Sequence, residues 1–159
     1  MENVTDLEIM LKNINNNSVE VGWFEKGIAD IAEKLEYGFI SHVTAEESYN
    51  LKNQYNINLP VGDYIVPPRP HMQKTVDEYS KTWAEDVIDM IKDNDNNLLE
   101  TLGQLMQEDY RTVLYSGEFV ENSPVTLAIR QAKGLPIDKP LVATHTLQNE
   151  VKYKISKGT

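Results

Sequence analysis

The chain has 159 residues, of which 40% are hydrophobic and 25% charged, with a formal net charge of −10 and no cysteine. That length suits one domain whose core needs no metal or disulfide staple, and the lack of cysteine excludes a disulfide framework, a thiolate metal site and a cysteine nucleophile. The acidity argues against nucleic-acid binding through phosphate contacts, and no apolar run approaches the roughly 20 residues needed to cross a bilayer.

The opening "MENVTDLEIMLKNINNN" has no basic segment followed by an apolar one, so it does not read as a signal peptide. A short helix is expected near residues 5–12, with Leu7, Met10 and Leu11 on one face, and "NINNN" reads as a loop. "SVEVGWF" alternates and is rich in β-branched residues, which predicts a strand over residues 18–24. In "GIADIAEKLEYG", Ile28, Ile31, Ala32 and Leu35 recur at helical spacing, and Gly38 is placed to end the helix. Residues 40–65 are polar and lack sustained periodicity, so they read as a projecting arm or long loop, with "DYIV" a short strand.

Pro67, Pro68 and Pro70 then impose extended backbone before a helix. Met72, Val76, Tyr79, Trp83, Val87, Met90 and Ile91 step by three or four, which predicts one long helix over residues 71–92. "DNDNN" breaks it. Leu99, Leu102, Met106, Tyr110, Val113 and Leu114 mark a second, over residues 98–115, and the short link predicts an antiparallel helical hairpin. Ser123-Pro124 is an N-cap followed by proline at the first helical position, and Gly134 ends the short helix it opens. Pro136 and Pro140 stiffen the next connection. "EVKYKIS" alternates Val151, Tyr153 and Ile155 against Lys152 and Lys154, a last strand expected to pair antiparallel with residues 18–24 beneath the helix over residues 72–91. The fold class is α+β: a small antiparallel sheet packed against long helices, within a single domain over residues 1–159.

The sequence assembles no catalytic constellation. His42, His71 and His145 are far apart and lack metal-ligand spacing, so each reads as a surface or half-buried hydrogen-bonding residue. Glu85 and Asp89 share a helix face, as a divalent-ion site needs, but lie opposite the apolar stripe and read as solvated. No glycine-rich phosphate cradle and no nucleophile elbow occurs. The expectation is a protein that is not an enzyme and needs no cofactor or metal.

The charge is lopsided. Residues 122–159 hold six bases (Arg130, Lys133, Lys139, Lys152, Lys154, Lys157) against Asp138 and Glu150, a net of +4, so residues 1–121 carry −14. A bipolar surface suits contacts between copies or with a charged partner. Arg130, Lys133 and Lys139 are expected to form an exposed basic patch that meets Glu85, Asp86 and Asp89 of the next copy.

In order along the chain, "VEVGWF", a helix ending in "EYG", "VPPRPHM" opening a long helix, and "NSPVTLAIRQAKGLPIDKPLVATHTLQNEVKYKI" resemble the tail-completion (head–tail joining, or minor tail) proteins of tailed bacteriophages. Three motifs match position by position: Pro67, Pro68, Arg69 and Pro70; Asn122, Ser123, Pro124 and Thr126; Lys139, Pro140, Leu141, Thr144 and Leu147. Ala143 stands where relatives often have Asp, and His145 where they have Gly at a tight turn. The resemblance covers most of the chain and implies a non-enzymatic virion protein of the phage neck, made in the host cytoplasm. It implies a homo-oligomeric ring contacting other neck and tail proteins, with Arg69 a further interface candidate, and no membrane or sequence-specific nucleic acid. The neighbouring role is a tail terminator capping the tail tube. From another class, the −14 body could act as an acidic DNA mimic that blocks restriction enzymes, although Lys74, Lys81 and Lys92 interrupt its helical carboxylates.

Overall fold

In the computed structural model, residues 14–116 and 118–158 are described, so the expected helix over residues 5–12 lies outside them. The elements are β1 (Asn17–Gly22), α1 (Lys26–Tyr37), β2 (Phe39–Val43), α2 (Ala45–Tyr55), β3 (Gly62–Val66), α3 (His71–Lys92), α4 (Leu98–Tyr115), α5 (Pro124–Ala132), α6 (Thr146–Glu150) and β4 (Lys152–Lys157). The α+β class holds. Residues 14–16 are helical rather than loop, and Asn17 already opens β1.

α3 and α4 form the hairpin that their apolar periodicity predicts. Trp83 of α3 stacks between Tyr79 and Tyr110, at 6.2 and 6.4 Å between ring centroids, and Trp23 meets Tyr110 edge-on. These rings join Ala32, Leu114, Leu141, Leu147 and Val151 in one core. Trp23, just past β1, donates its indole N–H to Leu147 O (2.9 Å), so the bulky polar ring is fully used there.

β1 and β4 pair antiparallel as expected, with Val19 opposite Ile155 and Val21 opposite Tyr153. The strands do not form one sheet, however: β2 and β3 pair separately. Nor is α3 the helix that covers the β1–β4 ribbon. That helix is α4, which packs on both strands. The reason is Gly103, where an added Cβ would stand 2.7 Å from Cγ of Tyr153. The missing side chain leaves a seat for the Tyr153 ring, and the Tyr153 amide donates to the Gln107 side chain at 3.2 Å.

Residues 40–65 are an arm but not a loop. β2 and β3 form an antiparallel hairpin, Phe39 opposite Val66 through Val43 opposite Gly62, and α2 fills the connection between them. α2 has little amphipathic pattern, which is why periodicity misses it. Its start is set locally: Thr44 accepts from the Glu47 amide while Glu47 accepts from the Thr44 amide, a complete capping box.

α6 was also unexpected between the proline loop and the last strand. Its N-cap is His145, whose φ of 59° is left-handed. The tight turn that favours Gly is thus made with a histidine, at a cost of roughly 1–2 kcal/mol. Tyr115 Oη lies 3.0 Å from His145 Nδ1 and holds the ring in place.

Candidate interaction site

The corner between α1 and α3 is built from the two stretches "EYG" and "VPPRPHM". Glu36, buried on α1, accepts from the amides of Met72 (2.7 Å) and Gln73 (3.0 Å) at the start of α3. Its carboxylate satisfies donors that have no partner within the helix and faces the positive end of the helix dipole. Gly38, at φ 75°, lets the chain pass close to the proline step, since a Cβ there would lie 2.8 Å from both Pro68 N and Val66 O. The Arg69 amide then donates to Leu35 O (2.7 Å), closing the end of α1.

His71 sits behind this corner with no solvent exposure. One ring nitrogen, Nε2, donates to Ala32 O at 3.1 Å; Nδ1 has no partner. Burial pushes its pKa below the ordinary histidine value, although the Ala32 bond and nearby Glu36 pull the other way. It is a core residue, not the surface or half-buried group that the sequence suggested.

Arg69 reaches from the corner to the segment ahead of α5. It donates to Val120 O (2.8 Å), Glu121 O (3.1 Å) and Asn122 Oδ1 (3.3 Å), and is only 3% exposed. Asn122 passes the connection on, its amide donating to Pro140 O at 3.3 Å. From the far side Arg130 donates to the same Pro140 O (2.7 Å) and to the carbonyls of Pro136, Lys139 and Val142. The motifs "PPRP", "NSP" and "KPL" therefore meet in one knot, tied by two guanidinium groups on backbone carbonyls. Burial lowers the pKa of both arginines, and for Arg69 the charge of Arg130 adds to the effect.

This geometry corrects the exposed basic patch. Arg69 and Arg130 are spent on carbonyls inside the fold, and Lys139 donates to Tyr115 O (2.6 Å) at the end of α4. Lys133 is exposed, with its ammonium 5.9 Å from the Tyr55 ring of α2. Of the three cations expected in the patch, Arg130 and Lys139 are therefore tied to backbone carbonyls and Lys133 alone is free of one. On α3, Glu85 and Asp89 are solvated as expected and pair with Lys81 and Lys92 of the same helix, whereas Asp86 is half-buried. The acidic and basic candidates are not brought together within one chain.

Above the knot lies a cleft of about 870 Å³ between the body and the arm. Ile28, Ile31 and Leu35 of α1, Val125 and Ile129 of α5, and Leu51 of α2 give it apolar walls. Sequence reasoning missed the cleft because its walls come from α1, α2 and α5, which only the tertiary fold brings together. The half-buried apolar face of α5, which has no fully buried residue, is the local sign of it. Among the described residues no group of three or more His, Asp or Glu is arranged to hold a metal ion, and no helix is long and apolar enough to cross a membrane.

Comparison with protein-family models, curated proteins and solved structures gives no match to this chain.

Proposed function

We propose that the chain is a non-enzymatic structural protein of a tailed-phage virion, placed at the neck, where it completes the tail and joins it to the head as a ring of identical copies. The observation that carries this reading is the knot. The stretches on which the resemblance to tail-completion proteins rests lie apart in sequence, yet Arg69 bonds to Asn122 and Asn122 in turn to Pro140. Matched positions that serve one structural purpose support the resemblance. The open apolar cleft beside the knot supports a role in assembly, since such surfaces mark sites where proteins meet.

The test is a nonsense mutation in the gene within the phage that carries it. The expected lysate contains filled heads and finished tails that remain unjoined, and a plasmid copy restores plaques. Tails of uncontrolled length would move the assignment to a tail terminator. Normal yields of joined, infectious particles without the protein would overturn the reading.

A further inference from the structure

The cleft between the body and the arm is walled by apolar side chains that the fold around it leaves uncovered. Ile31 is 50% exposed and Ile65 84%, and Val125 and Ile129 are half-buried on the same lining. Its charge is one-sided. Arg69, Arg130 and Lys133 line it against Glu47, whose carboxylate is engaged by Thr44 in the capping box. Backbone carbonyls solvate both guanidinium groups but bring no countercharge. Among the described residues none of the three cations is paired with a carboxylate.

An occupant that answers both features is apolar on one side and acidic. The chain itself holds such a stretch. In "MENVTDLEIMLKN", residues 1–13, Val4, Leu7 and Leu11 recur at helical spacing with Met10 beside them, and Glu2, Asp6 and Glu8 outnumber Lys12. These residues lie outside the described ones.

Reach decides whose cleft the stretch can fill. β1 sets Asn17 about 17 Å from Gly22, the end that leads into α1, at a rise of about 3.4 Å per residue. α1 then turns to pack on α3 and α6. From Asn17 back to Leu11 the chain spans at most about 15 Å, since residues 14–16 are helical. That is shorter than β1 itself, so Leu11 falls short of the α1 wall of its own chain and is free to meet a neighbour's.

We infer that residues 1–13 of one copy dock in the cleft of a second copy, with the apolar stripe against Ile31, Val125 and Ile129 and the carboxylates toward Arg69, Arg130 and Lys133. The mode is an amphipathic segment laid into a hydrophobic groove. It joins two different surfaces of the same chain, so repetition runs head to tail and closes into a ring when the rotation allows. Opposite charge sets the approach and orientation of the segment. This inference rests on the proposal that copies assemble, and it names the surfaces that do so.

The chain has no cysteine, so single replacements report single contacts. Full-length Leu11→Cys carrying an affinity tag is mixed with untagged full-length Ile31→Cys and treated with a short bismaleimide, and the mixed dimer is measured on a denaturing gel. The control replaces the second chain by Asn96→Cys, which is exposed in the α3–α4 link and off the cleft lining. Circular dichroism confirms that each variant is folded, as the half-exposed and exposed positions lead one to expect. The cleft pair should give about tenfold more mixed dimer than the control, because contact raises the local thiol concentration. Excess synthetic peptide of residues 1–13 should lower that yield severalfold, and Lys133→Glu in the untagged chain should lower it about two- to fivefold. A yield no greater than the control, or one that the peptide leaves unchanged, overturns the inference. So does a chain carrying both replacements that links only within itself, which would put the segment in its own cleft. A mixed dimer combined with normal particles from the nonsense mutant would leave the contact standing and remove only the neck reading.

Discussion

Replacing Arg130 by Met separates internal wiring from an exposed patch. The guanidinium makes four bonds, to the carbonyls of Pro136 (3.2 Å), Lys139 (2.9 Å), Val142 (3.0 Å) and Pro140 (2.7 Å). Pro136 and Lys139 are half-buried, so water replaces much of what they lose. Pro140 and Val142 are buried; Pro140 O keeps the Asn122 amide, whereas Val142 O loses a donor in a site 2% exposed. Hydrogen bonds to a charged donor contribute about 1.5–3 kcal/mol each, so the two at buried carbonyls amount to roughly 3–6 kcal/mol. Releasing a partly buried cation offsets some of this, which leaves a net loss of about 3 kcal/mol. For a chain of this size that lowers the melting temperature by about 6–12 °C. Lys133→Met is the control: its exposed cation–π contact is worth only about 0.5–1 kcal/mol. Thermal unfolding followed by circular dichroism reads both. An Arg130→Met variant that melts within about 2 °C of the parent, or no lower than Lys133→Met, would refute the clamp.

The remaining predictions concern the corner and the ribbon. Because the folded pKa of His71 is lowered, its contribution to stability is complete above the unfolded value of about 6.5 and is lost as pH falls toward the folded value. Urea unfolding at several pH values should show that slope in the parent and a flatter one in His71→Gln; identical slopes would contradict it. Glu36→Ala strips the acceptor from the Met72 and Gln73 amides and should cost about 1–3 kcal/mol, against roughly 0.5 kcal/mol or less for exposed Glu33→Ala in the same urea assay. Gly103→Ala should destabilise despite a gain of up to about 1 kcal/mol in helix propensity, because crowding Tyr153 costs about 1–3 kcal/mol; a raised melting temperature would show that the seat for Tyr153 is not needed.

Much of the fold was legible where a single periodicity governs a segment. α3 and α4 have the predicted limits because each presents one apolar stripe to the core, and the pairing of β1 with β4 followed from two alternating segments. The sequence misled where tertiary context decides. Thr75 and His71 lie on the buried side at the start of α3 although they are polar, since Thr75 bonds to His71 O and His71 to Ala32 O. Val76, placed on the apolar stripe, is instead exposed. The choice of α4 over α3 as the ribbon's support turned on a missing side chain at Gly103, which leaves no hydrophobic signal. Charge was the least legible property. Counting residues located the basic segment correctly, but whether a guanidinium meets solvent or four carbonyls depends on how a proline-stiffened loop returns to its helix. The motif positions Arg69, Asn122 and Pro140, by contrast, do meet in the knot, which Arg130 joins although the sequence placed it on the surface.

The proposed neck role is tested most directly by cryo-electron microscopy of phage particles assembled in cells that express this gene, focused on the head–tail junction. The account predicts a ring of copies between head and tail tube, each fitting the α3–α4 hairpin with the β1–β4 ribbon on α4. A junction fully accounted for by other proteins, in particles that lack this chain altogether, would contradict it.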